Sequence, residues 1–414
     1  MKLSAILVSL VALAIGADAS CRGDCRIQCN PYNIPGACSN ECVGRCMAAR
    51  CPDDDGLIGI LLQESIVIVG AGIIGLDVAL VLAERGFGRY ITVYAEYLPG
   101  DTAVSYTSPW AGCNFSAISA SDANALRWDR AGYAHLTKLA AQDSKQSFVQ
   151  KTRSIELWDD AVPREKIKAM SEYLEDFRIL PDQELPPGVK FGVSFTSVTI
   201  HGPKHLVYLC NKLKHTYGVR FVRQKLATIQ DAFANPTTKV VFNCVGNAAR
   251  TLPGVEDPKC FPTRGQVVLT RAPKVSTNIM RHGRGYETYV IPRPQSNGNA
   301  VLGGYMQKGN GQVSLAKRLT EDILARTKAL SAELRQEEPE ILAAFAGLRP
   351  SRNGGARVER GEVFVGAGGE KRAIVHNYGA GGTGFQAGYG MATEAVDAAE
   401  DILQSLRSQG RSRL

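Results

Sequence analysis

Two glycine-rich segments of the chain have the composition and spacing of loops that bind phosphate groups. The first, from Val67 to Gly75, reads VIVGAGIIG, and the second, from His376 to Gly390, reads HNYGAGGTGFQAGYG. In the first segment an apolar run precedes the glycines and a helical pattern follows them. Such a loop gives a tight turn, close approach of the backbone to a pyrophosphate, and close packing of helix on strand. The first segment therefore predicts a dinucleotide site.

An acidic residue and the second loop narrow the choice of dinucleotide. Glu96 ends the next predicted strand, about twenty residues beyond the first loop, where an acid commonly binds ribose hydroxyls and disfavours a 2′-phosphate. A second glycine-rich turn, opening a late helix, is typical of proteins that enclose FAD and is seldom needed for a nicotinamide. The two loops together favour FAD.

The elements that must position these loops follow from the hydrophobic pattern. A short apolar strand over Ser65–Val69, a helix over Ala71–Arg85 and a β-branched strand over Tyr90–Ala95 predict a βαβ unit. Further helices are predicted over 123–142, 163–176, 203–217, 315–334 and 391–408, and further strands over 220–223, 239–244, 265–271, 287–292 and 300–304.

Composition limits the class of protein. The chain has 414 residues, 44% of them hydrophobic, and a formal net charge of +8. It has neither the basic block nor the aromatic-basic alternation of a nucleic-acid groove, so we predict no nucleic-acid partner. The N-terminal apolar run, Leu3–Ile15, is too short to cross a bilayer, and we predict no membrane span.

The N-terminal part of the chain differs in character from the remainder. Residues 1–19 have the basic residue, apolar run and small-residue cleavage site of a secretory signal peptide. Seven of the eleven cysteines lie between Cys21 and Cys51. Their three-residue gaps do not match common zinc sites, so we predict no metal site and interpret residues 20–60 as a disulfide-stapled segment followed by a linker.

From about residue 64 to its end, the chain resembles the D-amino-acid oxidase family of FAD enzymes, most closely the fungal members. The resemblance implies an α/β fold, with a Rossmann-like FAD-binding domain built from distant segments (about 64–120, 200–265 and 345–410) and a substrate domain with a mixed β-sheet. Seven blocks carry it in the family's order: VIVGAGIIGL from Val67, YTSPWAGCNF from Tyr106, VFNCVGNAARTL from Val241, PTRGQ from Pro262, YVIPRP from Tyr289, GLRPSRNGGARVE from Gly347 and HNYGAGGTGFQ from His376.

The resemblance implies roles for individual residues. Arg349 matches the arginine that binds the substrate carboxylate, which suits a guanidinium that stays charged and can contact both oxygens. Tyr289 matches a tyrosine that binds the same carboxylate. Gly382 matches the position where a backbone carbonyl accepts a hydrogen bond from the substrate amine. The family's second tyrosine is either Tyr286 or Tyr305.

The residues predicted around the cofactor come from five parts of the chain. The N–H groups of the second loop and the dipole of the helix behind it are expected to stabilise negative charge on the reduced flavin. The predicted FAD contacts are Gly70, Ala71, Gly72, Ile73, Ile74, Gly75, Glu96, Ser108, Ala111, Gly112, Cys113, Asn114, Gly246, Gly381, Gly382, Thr383, Gly384, Phe385 and Gln386.

The implied activity is oxidative deamination of D-amino acids by dioxygen, with hydride transfer from Cα to flavin N5, giving 2-oxo acids, ammonia and hydrogen peroxide. One alternative is D-aspartate oxidase, which needs a further cation such as Arg281 or Arg293, although Met280 favours an apolar pocket. A second alternative is a secreted Cys-rich binding module fused to a non-functional flavoprotein.

The sequence contains two targeting signals that indicate different locations. Ser412-Arg413-Leu414 is a conservative variant of the tripeptide that the peroxisomal import receptor binds, whereas residues 1–19 indicate secretion. The glycosylation sequon Asn114-Phe115-Ser116 lies in the loop expected to contact the flavin, where a glycan would block the cofactor. The position of the sequon therefore favours the peroxisome, and secretion remains the alternative. The resemblance also allows a homodimer.

Overall fold

The computed structural model describes residues 65–119, 122–361, 364–365 and 371–411. The predicted signal peptide, the Cys-rich segment and the C-terminal tripeptide lie outside these residues. The described chain forms an α/β fold with two large sheets, as predicted.

The first sheet contains the predicted βαβ unit and draws its strands from distant parts of the chain. Its order is β14-β16-β7-β1-β2-β6, with β15 paired to β16, and the five strands from β16 to β6 run parallel. Parallel strands are covered on both faces, which is why β1 (IVIV) is fully buried. The strands are β1 (Ile66–Val69), β2 (Ile91–Ala95), β6 (Arg220–Arg223), β7 (Val240–Asn243), β14 (Arg357–Arg360), β15 (Phe364–Val365) and β16 (Lys371–Tyr378).

The second sheet is mixed and mainly antiparallel. Its order is β12-β8-β11-β10-β9-β3-β5-β4, with β13 also paired to β8; only the β3–β9 pair is parallel. The strands are β3 (Val149–Trp158), β4 (Glu175–Ile179), β5 (Phe191–Ile200), β8 (Cys260–Arg271), β9 (Asn278–Gly283), β10 (Tyr286–Pro292), β11 (Asn299–Tyr305), β12 (Gln307–Lys308) and β13 (Glu340–Arg352).

Seven α-helices are described, and the last predicted helix is in fact two. The pattern predicted one helix over 391–408, but the first of the two begins seven residues earlier and the chain turns at Ala398–Ala399 before the second. The helices are α1 (Ile73–Leu82), α2 (Ala123–Ser147), α3 (Arg164–Tyr173), α4 (Gly202–Tyr217), α5 (Lys317–Leu330), α6 (Gly384–Asp397) and α7 (Glu400–Arg411). None of the described helices combines the length and apolarity that a bilayer span requires.

Close helix packing places the two glycine-rich loops side by side. A Cβ on Gly132 of α2 would lie 1.7 Å from the carbonyl oxygen of Gln386, and one on Gly390 of α6 would lie 2.6 Å from that of Trp128. On the other side of α6, a Cβ on Gly388 would lie 2.3 Å from a carboxylate oxygen of Asp77 in α1. Because α6 contacts α1 and α2 through glycines, the N-terminus of α6 lies next to that of α1.

Candidate active site

A cavity of about 720 Å³ extends from the first glycine loop to Arg349 and Tyr289. Segments of both sheets and both glycine loops line it. The predicted FAD residues on its wall are Gly70, Ala71, Gly72, Ile73, Ile74, Glu96, Ser108, Ala111, Gly112, Cys113, Asn114, Gly246, Gly381, Gly382, Thr383, Gly384 and Phe385.

The first loop has room for glycine alone at two positions. Gly70 has a φ of +109°, donates its N–H to the carbonyl of Tyr94 at 2.8 Å, and would place a Cβ 2.5 Å from the carbonyl oxygen of Cys244. A Cβ on Gly75 would lie 2.0 Å from the carbonyl oxygen of Gly70. Gly75 does not line the cavity, so its contribution is the close packing of α1 against the loop.

The N-terminus of α1 is open toward the cavity. Gly72 caps the helix without a side-chain hydrogen bond, and the N–H of Ile73 donates to the Ser108 hydroxyl at 3.0 Å. Tyr106, buried behind the loop, donates its hydroxyl to the carbonyl of Ala71 at 2.6 Å and so fixes the turn. N–H groups at a helix N-terminus favour an anion such as a pyrophosphate.

Glu96 lies at the end of β2, on the cavity wall next to this loop. Its carboxylate accepts hydrogen bonds from Lys225 at 3.2 Å and from Tyr97 at 3.1 Å, and it is largely exposed. An acid at this position can accept ribose hydroxyls. Together, a loop that admits no Cβ at Gly70 or Gly75, an open helix N-terminus and this acid fit the pyrophosphate and ribose of FAD.

The second loop brings another helix N-terminus to the cavity. Gly379 and Gly381 have φ values of +84° and +60°, and the N–H of Gly381 donates to the carbonyl of Pro350 at 2.8 Å. Thr383 donates its hydroxyl to the carbonyl of Ala380, so it gives the helix no side-chain cap. The first N–H groups of α6 are therefore available to a ligand in the cavity.

Arg349 lies on β13 and lines the same cavity. Its Nη1 donates to the carbonyl of Tyr305 at 3.0 Å, and no acidic side chain forms an ion pair with it among the described residues. A Cβ on Gly265 would lie 2.4 Å from this Nη1, and one on Gly382 would lie 3.7 Å from its Cδ. The guanidinium is thus held by backbone between two glycines, with donors left for an anionic ligand.

Tyr289 is buried beside Arg349. Burial raises the pKa of the Tyr289 hydroxyl, the charge of Arg349 opposes that rise, and the charge of Glu287 adds to it. Glycines at 303 and 304 make room for the ring, since a Cβ on Gly303 would lie 2.1 Å from its Cζ. The hydroxyl therefore remains protonated and can donate a hydrogen bond to the ligand that Arg349 binds.

Neither candidate for the second tyrosine lies on the cavity wall. The hydroxyl of Tyr286 is hydrogen-bonded to Asp159 and that of Tyr305 to Asp322. The guanidinium of Arg326 lies over both rings, 5.5 and 5.1 Å from their centroids. These contacts hold both hydroxyls away from the ligand, and Tyr305 acts on the site through its carbonyl instead.

Gln386 also lies outside the cavity, although it was predicted to contact FAD. Its amide oxygen accepts the N–H of Ser116 at 3.2 Å, and its amide nitrogen donates to Ser119 and Asp129, both at 3.0 Å. Every polar atom of the side chain is therefore used within the protein. Its role in the structure is to fix the start of α6 against α2.

Three residues within the blocks that resemble the family have defined surroundings. Burial raises the pKa of Cys113 to about 12, so the thiol stays protonated and is no nucleophile. His376 lies outside the cavity, its Nδ1 is 3.1 Å from Nδ2 of Asn243, and burial lowers its pKa to about 4. Asn114 lies on the wall, with Nδ2 3.1 Å from Sδ of Met280.

A buried charged trio adjoins the Tyr289 end of the cavity and was not predicted. Nδ1 of His282 lies 2.6 Å from Oε2 of Glu287, and Nε2 lies 3.1 Å from Oε2 of Glu156. Glu156 is fully buried and also accepts the N–H of Ala117 at 3.0 Å. Burial alone would lower the pKa of His282, but the two carboxylates raise it to about 9. His282 is therefore an imidazolium at neutral pH, with both ring nitrogens donating.

This trio predicts a pH dependence of stability. The pKa of His282 is raised above its unfolded value of about 6.5, so its contribution is complete below pH 6.5 and is lost as pH rises through about 9. The loss is at most about 3 kcal/mol. We expect the melting temperature to fall between pH 6.5 and 9.5, and to fall less steeply in His282→Gln. Equal slopes for the two proteins would contradict this assignment.

Several other residues of the site were not predicted from the sequence. Thr107 and Asn247 both donate to the carbonyl of Leu348 at 2.8 Å, and so anchor β13 next to Arg349. Tyr106 and Glu287 were likewise missed. Thr107, Tyr106 and Asn247 do lie within blocks that resemble the family, which was the available signal.

Comparison with known proteins gives one consistent result. The family model for DAO, the FAD dependent oxidoreductases, matches residues 65–398. The chain is 44% identical to the D-amino-acid oxidase of Schizosaccharomyces pombe, over 80% of this chain and 95% of that protein. It is 31% identical to the D-aspartate oxidase of Cryptococcus neoformans var. grubii, over 81% of this chain and 96% of that protein. The solved structure of glycine oxidase from Geobacillus kaustophilus shares the fold, with a TM-score of 0.60 at 17% identity. The match covers 81% of this chain and 94% of that chain.

Proposed function

The chain belongs to the DAO family of FAD-dependent oxidoreductases, and from this premise we propose the reaction that its cavity performs. It is an FAD-dependent D-amino-acid oxidase, which converts a D-amino acid, dioxygen and water to a 2-oxo acid, ammonia and hydrogen peroxide. One observation carries this proposal: Arg349, a guanidinium without an acidic partner among the described residues, shares a cavity with a dinucleotide loop.

Arg349 and Tyr289 bind and orient the substrate. With Nη1 on the carbonyl of Tyr305, the remaining donors of Arg349 hold the α-carboxylate, and the protonated hydroxyl of Tyr289 donates to the same group. The carbonyl of Gly382 accepts a hydrogen bond from the amine. These contacts fix two substituents of Cα, the carboxylate and the amine, so orientation supplies most of the rate enhancement.

Held by the two glycine loops, FAD would supply a two-electron acceptor for the hydrogen on Cα and would be reoxidised by dioxygen. The protein supplies the electrostatic setting. The N-terminus of α6 directs N–H groups and the positive end of its dipole into the cavity, where they stabilise negative charge. Apolar side chains of Ile118, Met280 and Ile291 on the wall exclude water from the reacting atoms.

We further assign the cofactor contacts to the predicted residues that line the cavity, and leave out Gly75 and Gln386. The assignment rests on the fact that all of these residues line one cavity. The FAD domain remains proposed as residues 64–120, 200–265 and 345–410, since these segments supply the strands of the first sheet.

The D-aspartate alternative receives less support. Arg281 is ion-paired with Asp159 at 2.8 Å and also donates to the carbonyl of Pro187. Arg293 is partly buried and does not line the cavity. Neither arginine is therefore placed to bind a second carboxylate of the substrate.

The function is tested with purified protein reconstituted with FAD. We expect a flavin absorption spectrum, and production of hydrogen peroxide with D-alanine and not with L-alanine. Flavin binding without oxidation of D-alanine would contradict the proposal, and stronger turnover of D-aspartate would favour the alternative.

We propose the peroxisome as the location of the enzyme, reached through the import receptor that binds Ser412-Arg413-Leu414. Support comes from Asn114, whose Nδ2 is directed at Met280 inside the cavity and leaves no space for a glycan. Deletion of the tripeptide should move a fluorescent fusion to the cytosol, whereas a fusion that enters the medium would favour secretion. Association as a homodimer also remains a proposal.

A further inference from the structure

One strand presents an acid to the substrate end of the cavity. Side chains of β10 alternate between the two faces of the second sheet, and Glu287, Tyr289 and Ile291 all line the cavity. The register pairs Tyr289 with Met280 and Glu287 with His282 on β9. The acid therefore stands two residues along the strand from the tyrosine, on the same face.

The cation that contacts Glu287 is shared with a second carboxylate. His282 donates to Oε2 of Glu287, but it also donates to the buried carboxylate of Glu156, so the trio carries one net negative charge. Lys166 acts on both carboxylates from inside the protein, where its Nζ donates to the carbonyl of Ser119. Arg326 donates to the carbonyl of Glu287 and to Thr288. Neither cation lines the cavity.

Few charged side chains line the described wall of the cavity. Glu96 and Lys225 are paired with each other at the dinucleotide end. The others are Arg349 and Glu287. Once Arg349 holds the α-carboxylate of a substrate, Glu287 is the remaining charge that the substrate side chain meets.

We propose that Glu287 is a specificity-determining residue, which disfavours D-amino acids with acidic side chains and favours those with basic side chains. This inference rests on the proposed function, since it concerns the substrate of the same site. A carboxylate brought near Glu287 in a partly desolvated cavity is repelled, whereas an ammonium or guanidinium is attracted. Neutral side chains are accommodated by Met280 and Ile291 and respond little to the charge.

The main test compares D-asparagine with D-aspartate, which have nearly the same shape and differ in charge, and a second pair, D-lysine and D-glutamate, compares a positive with a negative side chain. In the wild type we expect kcat/KM for D-asparagine to exceed that for D-aspartate, and kcat/KM for D-lysine to exceed that for D-glutamate. In Glu287→Gln, which keeps the shape of the side chain, the ratio for D-asparagine over D-aspartate should fall about tenfold, the effect of one charge at this range. Glu287→Asp keeps the charge and should retain a ratio near that of the wild type.

A matched control removes a charge elsewhere in the substrate half. Glu321 lies on α5 with its side chain largely exposed and paired with Lys317. Glu321→Gln should leave every ratio unchanged. If the ratio is the same in Glu287→Gln and the wild type while D-alanine is still oxidised, the role of Glu287 is overturned and the proposed function stands.

The wild type alone also decides the inference if the variants do not fold. Equal or higher kcat/KM for D-aspartate than for D-asparagine would overturn it. A wild-type protein that binds FAD but does not oxidise D-alanine would instead overturn the proposed function, and the inference with it.

Discussion

Arg349→Leu is expected to lower kcat/KM for D-alanine by about three orders of magnitude, because two charge-assisted hydrogen bonds to the carboxylate are lost. Most of the change should lie in KM, since the same contacts hold the bound substrate. The flavin spectrum should be retained, because the residues of the dinucleotide loop are unchanged and Arg349 is assigned to the substrate. Stopped-flow reduction of the flavin under anaerobic conditions measures binding and chemistry separately.

Arg349→Lys is the control for this prediction. Lysine keeps the positive charge but cannot contact two carboxylate oxygens from a planar group, so activity should be partly restored. It also cannot reproduce the bond from Nη1 to the carbonyl of Tyr305 without losing reach toward the substrate. Leucine and wild-type proteins with the same KM for D-alanine would show that another group binds the carboxylate.

Gly70→Ala is expected to yield protein with little bound FAD. The residue has a φ of +109°, and its Cβ would lie 2.5 Å from the carbonyl oxygen of Cys244, so the turn between β1 and α1 must shift. The N-terminus of α1 would then no longer face the pyrophosphate. We expect the affinity for FAD, measured by quenching of its fluorescence, to fall about a hundredfold or more, since charge-assisted contacts to both phosphates depend on this turn.

Gly100 offers a matched control for the backbone strain. It has a similar φ of +106°, but no atom lies within 4 Å of a Cβ built there. Gly100→Ala therefore carries the cost of the conformation, about 1 kcal/mol, without the clash. It should bind FAD normally and melt only slightly earlier. Equal affinities in the two variants would refute the steric argument for Gly70.

The sequence predicts the parts of the fold that short, local patterns encode. The βαβ unit and the glycine loops were identified because a continuous apolar strand, a glycine turn and a helical period follow one another within a few tens of residues. The strands β3 and β5 were missed, although they pair along ten residues each. Their burial depends on strands and helices far away in the sequence, and no local turn signal joins them.

The residues of the candidate site also divide into those that local sequence identifies and those that depend on distant parts of the chain. Arg349 and Tyr289 could be named because each lies in a block that resembles the family. Tyr286 and Tyr305 could not be resolved by sequence, because their side chains are directed by Asp159 and Asp322, which are distant in the chain. Glu287 is a charged residue in a strand, and only the register of β9 and β10 shows that it faces the cavity.

The composition of the first sheet has a consequence for biosynthesis. Its strands β1 and β2 leave the ribosome early, but β16, which pairs with β7, and the loop that opens α6 follow nearly three hundred residues later. A nascent chain that ends before β13 holds the pyrophosphate loop without Arg349 or the second helix N-terminus. Both glycine loops and Arg349 can therefore lie around one cavity only when translation is almost complete.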